Sequence, residues 1–397
     1  MISGTHTSSG VSWFKDSIVY HILVDRFAGY DPNADPGKPL FLGGNIPGIT
    51  EKLPYLKDLG INTIWISPIL KTTAYHGYHI TDYYTIDERF GTEIDLKAFI
   101  DQAHHKNIRV ILDFVANHCS CEHPLFREAF QDPKSPYRRW FYFTPFTNRY
   151  LCFLKFRELP KINLDFPAAR KHIIEAALKW ISLGADGFRL DHVVGPSHDF
   201  WKAFSREIKA LKPEAVLIGE AWLEGINFDM LKTIRINHKY LRWLLQLNPW
   251  DIQREYLREL DGVLDFYVHH RIVENIAWKE KPEQFEHKLR SSLSEHYSRF
   301  PEGYYLPTFI DNHDMNRFLH DAGQNREKLK AALQFQFSIP HPPVLYYGTE
   351  TGLSHQDPIL LNVPFSDILA RQPMPWDSLD LELIDYCKEL IRERKGK

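Results

Sequence analysis

The sequence lacks several features that would point to other classes of protein. It has only four cysteines in 397 residues, irregularly spaced and with no repeated Cys-x-x-Cys, which argues against a zinc site or a disulfide framework. No apolar run is long enough to span a bilayer, and the polar first ten residues do not resemble a signal peptide. The formal net charge of -3 gives no basic surplus for nucleic acid or an anionic membrane. We therefore expect a cytoplasmic protein with neither partner, and the sequence leaves its oligomeric state open.

What the sequence does contain is an ordinary globular composition with many aromatic rings. Hydrophobic residues make up 44% of the chain, and Phe, Trp and Tyr make up 14%. Flat apolar rings with polar edges suit the faces of sugars, although we expect most of these rings to fill the core.

A repeated order of apolar run, loop and amphipathic helix predicts the fold. Eight β-rich runs occur, at 18–24, 62–67, 108–114, 185–190, 215–219, 262–267, 305–310 and 343–347. Helical patterns separate or follow them, at 49–59, 94–105, 168–183, 197–211, 282–297, 326–337 and 379–394. Several runs are almost continuously apolar, as in strands covered on both faces. Eight successive β/α units predict an α/β fold, the (β/α)8 TIM barrel.

One interval between predicted strands is too long for a simple β/α connection, at roughly seventy residues between the third and fourth. We interpret residues 119–163 as an inserted subdomain, whose rings form its own core while one or two face a sugar. The barrel then comprises residues 13–118 and 164–397, after a disordered segment at 1–12. We expect no C-terminal β-sandwich, because the chain stops after its last predicted helix.

Ionisable residues follow the predicted strands, where barrels of this kind carry their active sites. Arg189 and Asp191 are two residues apart on a strand, so their side chains point the same way, and the cation keeps Asp191 ionised. A carboxylate nucleophile needs that charge. On this segment alone, a structural ion pair that caps the strand is an equally good interpretation.

Two further carboxylates favour a functional interpretation, because bringing like charges to one rim costs free energy. Glycoside hydrolysis uses such pairs of carboxylates. Asp191 would attack the anomeric carbon, and Glu220, beside Ala221 and Trp222, would have the raised pKa of a general acid. Asp314 would stabilise the oxocarbenium-like transition state. The sugar-binding side chains would be a stacking Tyr78 and two hydrogen-bonding histidines, His118 and His313.

Together these residues resemble the motifs of the α-amylase family, glycoside hydrolase family 13. The resemblance covers about residues 13 to 394, and four motifs carry it: Asp113–His118, Gly187–Asp191, Gly219–Trp222 and Phe309–Asp314. It implies a nucleophile at Asp191, a general acid/base at Glu220 and a transition-state stabiliser at Asp314. It also implies sugar binding by Tyr78, His118, Arg189 and His313. The segment Leu159–Asn163 is similar to a motif of the neopullulanase and cyclomaltodextrinase branch.

The resemblance implies a retaining hydrolase that cleaves α-1,4-glucosidic bonds in starch, maltodextrins or cyclodextrins. A 4-α-glucanotransferase or a sugar isomerase of the same family would use the same covalent intermediate, and a non-catalytic carbohydrate-binding relative is a third alternative. The expected partner is therefore an α-glucan. We expect no cofactor or catalytic metal, although residues 31–35 and 43–45 resemble a structural calcium loop of the family.

Overall fold

The chain forms two compact units. The computed structural model describes residues 11–144, 148–222, 249–279, 286–360, 363 and 365–396. The first unit comprises Met1–Ser12, Pro68–Glu88 and Leu112–Val263. The second comprises Trp13–Ser67, Arg89–Ile111 and Leu264–Lys397.

The first unit contains a parallel sheet that positions two of the candidate carboxylates. Its strands lie in the order Gly262–Val263, Val216–Gly219, Gly187–Leu190 and the end of Arg109–Phe114. Leu190 lies opposite Gly219, so the residues that follow these two strands emerge side by side at the carboxyl edge of the sheet.

A close contact between two strands requires glycine at the start of the Gly187–Leu190 strand. Gly187 has a φ of 153°, and a Cβ there would lie 2.1 Å from the main-chain oxygen of Val216. No side chain fits at that distance, so glycine lets the two strands pair along their whole length.

Two long helices of the first unit, Pro167–Leu183 and His198–Leu211, pack against each other. Proline occupies the first turn of one, where its missing N–H is not needed. The side chain of Ser197 caps the other by accepting the N–H of Phe200. Their apolar faces bury large rings, so this unit has a core of its own.

Residues 119–163, interpreted from the sequence as an inserted subdomain, fold within the first unit. They contain the helix Pro124–Gln131, a 3-10 turn at Arg138–Trp140 and an antiparallel hairpin of Cys152–Phe153 with Phe156–Pro160. A second hairpin, outside this segment, pairs Leu70–Thr72 with Ile80–Ile86. Phe126 contacts four other rings of the segment, as expected for a small local core, while Phe146 lies outside the described residues. The boundaries of the subdomain stay a prediction.

The second unit contains the remaining parallel strands. They lie in the order Arg109–Phe114, whose first half belongs here, then Thr63–Ile66, Val19–Ile22 and Val344–Tyr346. Val19 lies opposite both Thr63 and Val344. The helices of this unit are Val24–Phe27, Ile46–Glu51, Leu53–Leu59, Glu93–His105, Phe266–Ile272, Glu286–Tyr297, Phe318–Asp321, Arg326–Ser338 and Leu381–Lys395.

Two predicted strands are much shorter than the sequence pattern indicated. The sixth, predicted at 262–267, ends at Val263, because Asp265 accepts the N–H of Val268 and starts a helix. The seventh, predicted at 305–310, is reduced to a single bridge between Thr308 and Pro343. An apolar run predicts that a segment is buried, but it does not predict the length of a hydrogen-bonded ladder.

The predicted disordered segment at 1–12 also needs a correction, at its last two residues. Residues 1–10 lie outside the described residues, whereas Val11 is buried and Ser12 begins a 3-10 helix that ends at Asp16. Residues 11 and 12 are therefore ordered, contrary to the disorder predicted for 1–12. Among the described residues, no helix has the length and apolar character that crossing a membrane requires.

Candidate active site

One guanidinium organises the candidate site in the first unit. Arg189 Nη1 donates to both carboxylate oxygens of Asp113, at 3.0 and 3.1 Å, and to Asp191 Oδ1 at 2.9 Å. Its Nη2 contacts Glu220 Oε1. The expectation that Arg189 and Asp191 face the same point is therefore confirmed, and Asp113 and Glu220 join them there.

Arg189 remains a cation in this buried position. Burial opposes the charged form, but the carboxylates of Asp113 and Glu220 outweigh it and raise the pKa of Arg189 well above its ordinary value. A permanent positive charge among three carboxylates offsets their mutual repulsion, which explains how they can be held so close together.

The setting of Glu220 differs from the apolar one that the sequence suggested. Besides the contact with Arg189, Glu220 Oε2 accepts the main-chain N–H of His192 at 3.0 Å. Both interactions stabilise a negative charge on this carboxylate, which a purely apolar setting would not do. The sequence missed this because Arg189 and His192 lie about thirty positions earlier and reach Glu220 only through strand pairing.

Tyr78 is held by the same network. Its hydroxyl donates to Asp113 Oδ2 at 2.8 Å, and its ring centre lies 5.9 Å from the guanidinium carbon of Arg189. Asp113, the first residue of the motif Asp113–His118, therefore anchors both Tyr78 and Arg189. This agrees with a supporting role for Asp113, which the sequence could show only as a polar residue near the end of a buried strand.

His118 is a buried, neutral histidine. Burial, with smaller contributions from the charges of His79 and Lys161, lowers the pKa of His118 to about 3. Its Nδ1 lies 3.3 Å from the side-chain nitrogen of Asn117, and its carbonyl accepts the hydroxyl of Tyr83 at 2.6 Å. A neutral imidazole can offer a hydrogen bond to a sugar hydroxyl without carrying a charge.

A second group of candidate residues lies in the second unit. Asp314 Oδ2 lies 3.0 Å from His313 Nε2, and Asp314 Oδ1 accepts from Arg371 at 2.9 Å. Arg371 also donates through Nε to the carbonyl of His313 at 2.7 Å. The carboxylate side chain of Asp314 is 34% exposed, whereas the ring of His313 is buried. Asp314 is thus fixed on two sides and still accessible to a ligand.

Arg371 is a residue of this group that the sequence did not single out. It lies in the run Arg371–Trp376 after the last predicted strand, where the sequence offers no sign of a partner. An arginine in a loop has many possible partners, and only the folded chain pairs this one with a carboxylate 57 positions earlier. The structure thus brings Tyr78, Arg189, Asp191 and Glu220 together in one unit and His313 with Asp314 in the other. That the two groups meet at one sugar stays a prediction.

The loop that resembles a calcium site offers a poor set of ligands. Asp31 Oδ1 accepts both the N–H and the side-chain amide of Asn33, at 2.9 and 3.1 Å. Asp35 Oδ1 accepts the N–H of Gly37, and the side chain of Asn45 caps a helix. These oxygens already satisfy their own turns, and in the described ranges no three His, Cys, Asp or Glu side chains form a metal-binding group. Calcium binding at this loop stays a prediction, and the proposed chemistry uses no metal.

The parallel strands and the polar residues at their carboxyl ends define a protein of the α/β-barrel class. The chain belongs to the alpha-amylase family: the alpha amylase catalytic domain matches residues 21–230 and 249–382. The predicted (β/α)8 barrel of α/β class and the resemblance to glycoside hydrolase family 13 are thereby confirmed.

Individual relatives support the same placement. The chain is 38% identical over 389 residues to Alpha-amylase 2 of Dictyoglomus thermophilum, covering 97% of this chain and 64% of that protein. It is 29% identical to Neopullulanase 2 of Thermoactinomyces vulgaris, covering 96% and 63%. It thus spans less than two thirds of the length of either relative.

One solved structure has the same fold over most of its length. The cyclic α-maltosyl-(1→6)-maltose hydrolase of Arthrobacter globiformis, in complex with cyclic α-maltosyl-(1→6)-maltose, superposes with a TM-score of 0.81 at 25% identity. The match covers 98% of this chain and 84% of that one.

Proposed function

We propose that this chain is a retaining hydrolase of α-glucans that cleaves α-1,4-glucosidic bonds by double displacement. Starch, maltodextrins and cyclodextrins are the substrate class. The names of the relatives, an alpha-amylase and a neopullulanase, agree with this class of substrate. The free state of all four cysteines fits a reducing compartment, and we propose the cytoplasm.

The main support for this proposal is that Asp191 and Glu220 contact the same guanidinium, that of Arg189. Asp191 accepts from one terminal nitrogen of Arg189 and Glu220 contacts the other. Two carboxyl groups bound to one guanidinium lie close together, as in retaining enzymes, which hold them about 5–5.5 Å apart, and we expect that separation here.

Glu220 must first take up a proton from solvent, because its contacts with Arg189 and the His192 N–H favour the carboxylate. The carboxylate of Asp191 then attacks the anomeric carbon while Glu220 donates that proton to the departing glycosidic oxygen. A covalent glucosyl ester forms on Asp191 and the leaving chain departs with its new hydroxyl. In the second step Glu220 takes a proton from water, and the oxygen of that water displaces Asp191 from the sugar.

The other side chains stabilise the transition states of these two steps and bind the sugar. Asp314 carries a negative charge near the oxocarbenium-like transition state, and His313 holds that carboxylate from one side. His118 and His313 bind sugar hydroxyls, and Tyr78 lies against the sugar face. Arg189 keeps Asp191 ionised before attack.

Replacing the two reacting carboxylates tests the proposal. We expect Asp191→Asn and Glu220→Gln each to lower kcat on maltotriose by about 10²–10⁴ or more while the circular dichroism spectrum stays unchanged. Glu207→Gln, an exposed carboxylate on a nearby helix, is the matched control and should retain full activity. Near-native turnover in either variant would remove that residue from its assigned role.

Product analysis tests both the stereochemistry and the alternatives. Proton NMR of the first product should show the α-anomer, and an initial β-anomer would refute double displacement. With maltotriose, glucose and maltose alone indicate hydrolysis, whereas longer oligosaccharides would assign the chain to the transferases.

A further inference from the structure

A single ring on a hairpin of residues 119–163 contacts two histidines of the candidate active site. Phe153 is half-buried and lies opposite Phe156 in the hairpin of Cys152–Phe153 with Phe156–Pro160. The connecting turn is only two residues long, and Leu154 in it has a φ of 47°. A branched side chain rarely adopts this left-handed conformation, which persists only where the surrounding structure enforces it.

The turn places the Phe153 ring against two histidines. The ring stacks on His118 with centroids 4.6 Å apart and 25° between the planes. It also meets His192 edge to face, at 4.7 Å and 85°. On the hairpin itself it stacks more loosely on Phe156, at 6.1 Å. Phe153 therefore fixes the orientation of one histidine through its face and of the other by edge-to-face packing.

Both histidines bear on the proposed chemistry. His118 is the neutral imidazole assigned to sugar binding, and His192 directly follows the candidate nucleophile. The main-chain N–H of His192 donates to Glu220 Oε2, and His192 itself has a φ of 42°, which is unusual for a residue with a side chain. The ring that meets Phe153 therefore belongs to the same residue whose main-chain N–H holds the carboxylate that must transfer the proton.

We propose that Phe153 is a positioning residue of the active site, which holds the His118 ring directly and orients Glu220 through the main chain of His192. The segment 119–163 would then act on catalysis as well as on the folding of its own unit. The kinetic part of this inference rests on the proposed function, whereas its structural part does not.

Kinetics of three variants test the catalytic part. Phe153→Leu keeps apolar bulk but loses the ring, so we expect kcat on maltotriose to fall about tenfold to hundredfold, with KM within about threefold. Phe153→Tyr keeps the ring and should retain kcat within about twofold. Phe156→Ala is the matched control, because Phe156 is 36% exposed on the same hairpin, and it should leave kcat near the native value.

Histidine titration tests the structural part without any substrate. With ¹³C-labelled histidine, the His118 resonance is identified by its loss in His118→Asn. Burial, followed by the charges of His79 and Lys161, lowers its pKa to about 3, and the side-chain nitrogen of Asn117 lies 3.3 Å from its Nδ1. In Phe153→Leu water reaches the ring, so the pKa should move up toward its ordinary value of about 6.5. In Phe156→Ala it should not move.

Three outcomes would overturn the inference. One is a Phe153→Leu variant with native kcat and a native His118 titration. Another is an equal loss of kcat in Phe156→Ala, which would show that the hairpin acts through overall stability. The third is a raised KM at native kcat, which would make Phe153 a sugar platform. If the native protein cleaves no α-glucan, the proposed function fails, but a shifted titration in Phe153→Leu would still support the contact.

Discussion

Replacing Arg189 by methionine removes a positive charge that three buried carboxylates share. Asp113, Asp191 and Glu220 all contact this guanidinium, and their side chains are at most 10% exposed. Methionine fills much of the volume, so the change mainly deletes the cation and leaves buried acids facing one another.

The expected loss of stability follows from these contacts. Removing one partner from a buried ion pair costs about 3–5 kcal/mol. With an unfolding entropy of about 2.1 cal/mol/K per residue, a chain of 397 residues has roughly 0.8 kcal/mol/K, so the Tm should fall by about 4–6 °C. This is small enough to leave a folded protein for study at room temperature.

The stability of Arg189→Met should also depend on pH in a way that identifies the missing charge. Without the cation, the folded variant relieves the repulsion by binding a proton that the unfolded chain, with ordinary carboxyl pKa values, does not bind near neutrality. Its stability therefore rises as the pH falls from roughly 8 to 5, by about 1.4 kcal/mol per pH unit for each proton bound.

Calorimetry across that pH range measures both effects. Arg206→Met is the control, because Arg206 forms an exposed pair with Glu207 and its loss should change the Tm very little. Equal losses in the two variants would refute the argument, as would a Tm of Arg189→Met that does not change with pH. Either result would mean that the carboxylates do not depend on Arg189 for their charge.

The other contacts of the structure give three further predictions. Arg371→Met should lower kcat about tenfold to hundredfold, because Asp314 loses a charge-assisted hydrogen bond worth about 1.5–3 kcal/mol. Burial lowers the pKa of His355 to about 4, so the folded state resists a proton that the unfolded chain accepts, and native stability should fall as the pH drops from about 6.5 to 4. His355→Gln, which can still accept the N–H of Arg317, should lose less stability over that interval. Lys161→Met should destabilise the fold by about 1–3 kcal/mol, since its buried ammonium donates to a main-chain carbonyl.

Kinetics on maltotriose and thermal melts at several pH values measure these effects, and each has its own contradicting result. Native kcat in Arg371→Met would show that Asp314 does not need its arginine. Parallel pH profiles for His355→Gln and the native protein would assign the acid sensitivity to other groups. A native Tm in Lys161→Met would mean that the carbonyl of Gly195 finds another donor at no cost.

Local patterns predicted more of the fold than of the site. The helices predicted at 94–105 and 326–337 appear at Glu93–His105 and Arg326–Ser338, because capping by Thr92 and Asn325 and the helical period are local signals. The apolar run at 262–267 predicted a strand that is too long, because Asp265 caps a helix that begins at Phe266. Whether such a segment pairs as a strand or starts a helix depends on the segments packed beside it. The periodicity of its own sequence contains no information about those neighbours.

The sequence by itself determined which residue types stand at the strand ends, and that Arg189 and Asp191 must face the same point, because strand side chains alternate with a period of two. Only the tertiary structure decided that Arg189 also binds Asp113 and Glu220, that Arg371 holds Asp314, and that the Phe153 ring contacts two histidines. These partners lie 31 to 76 positions apart along the chain. Strand register and loop packing bring them together, and both depend on the whole folded chain.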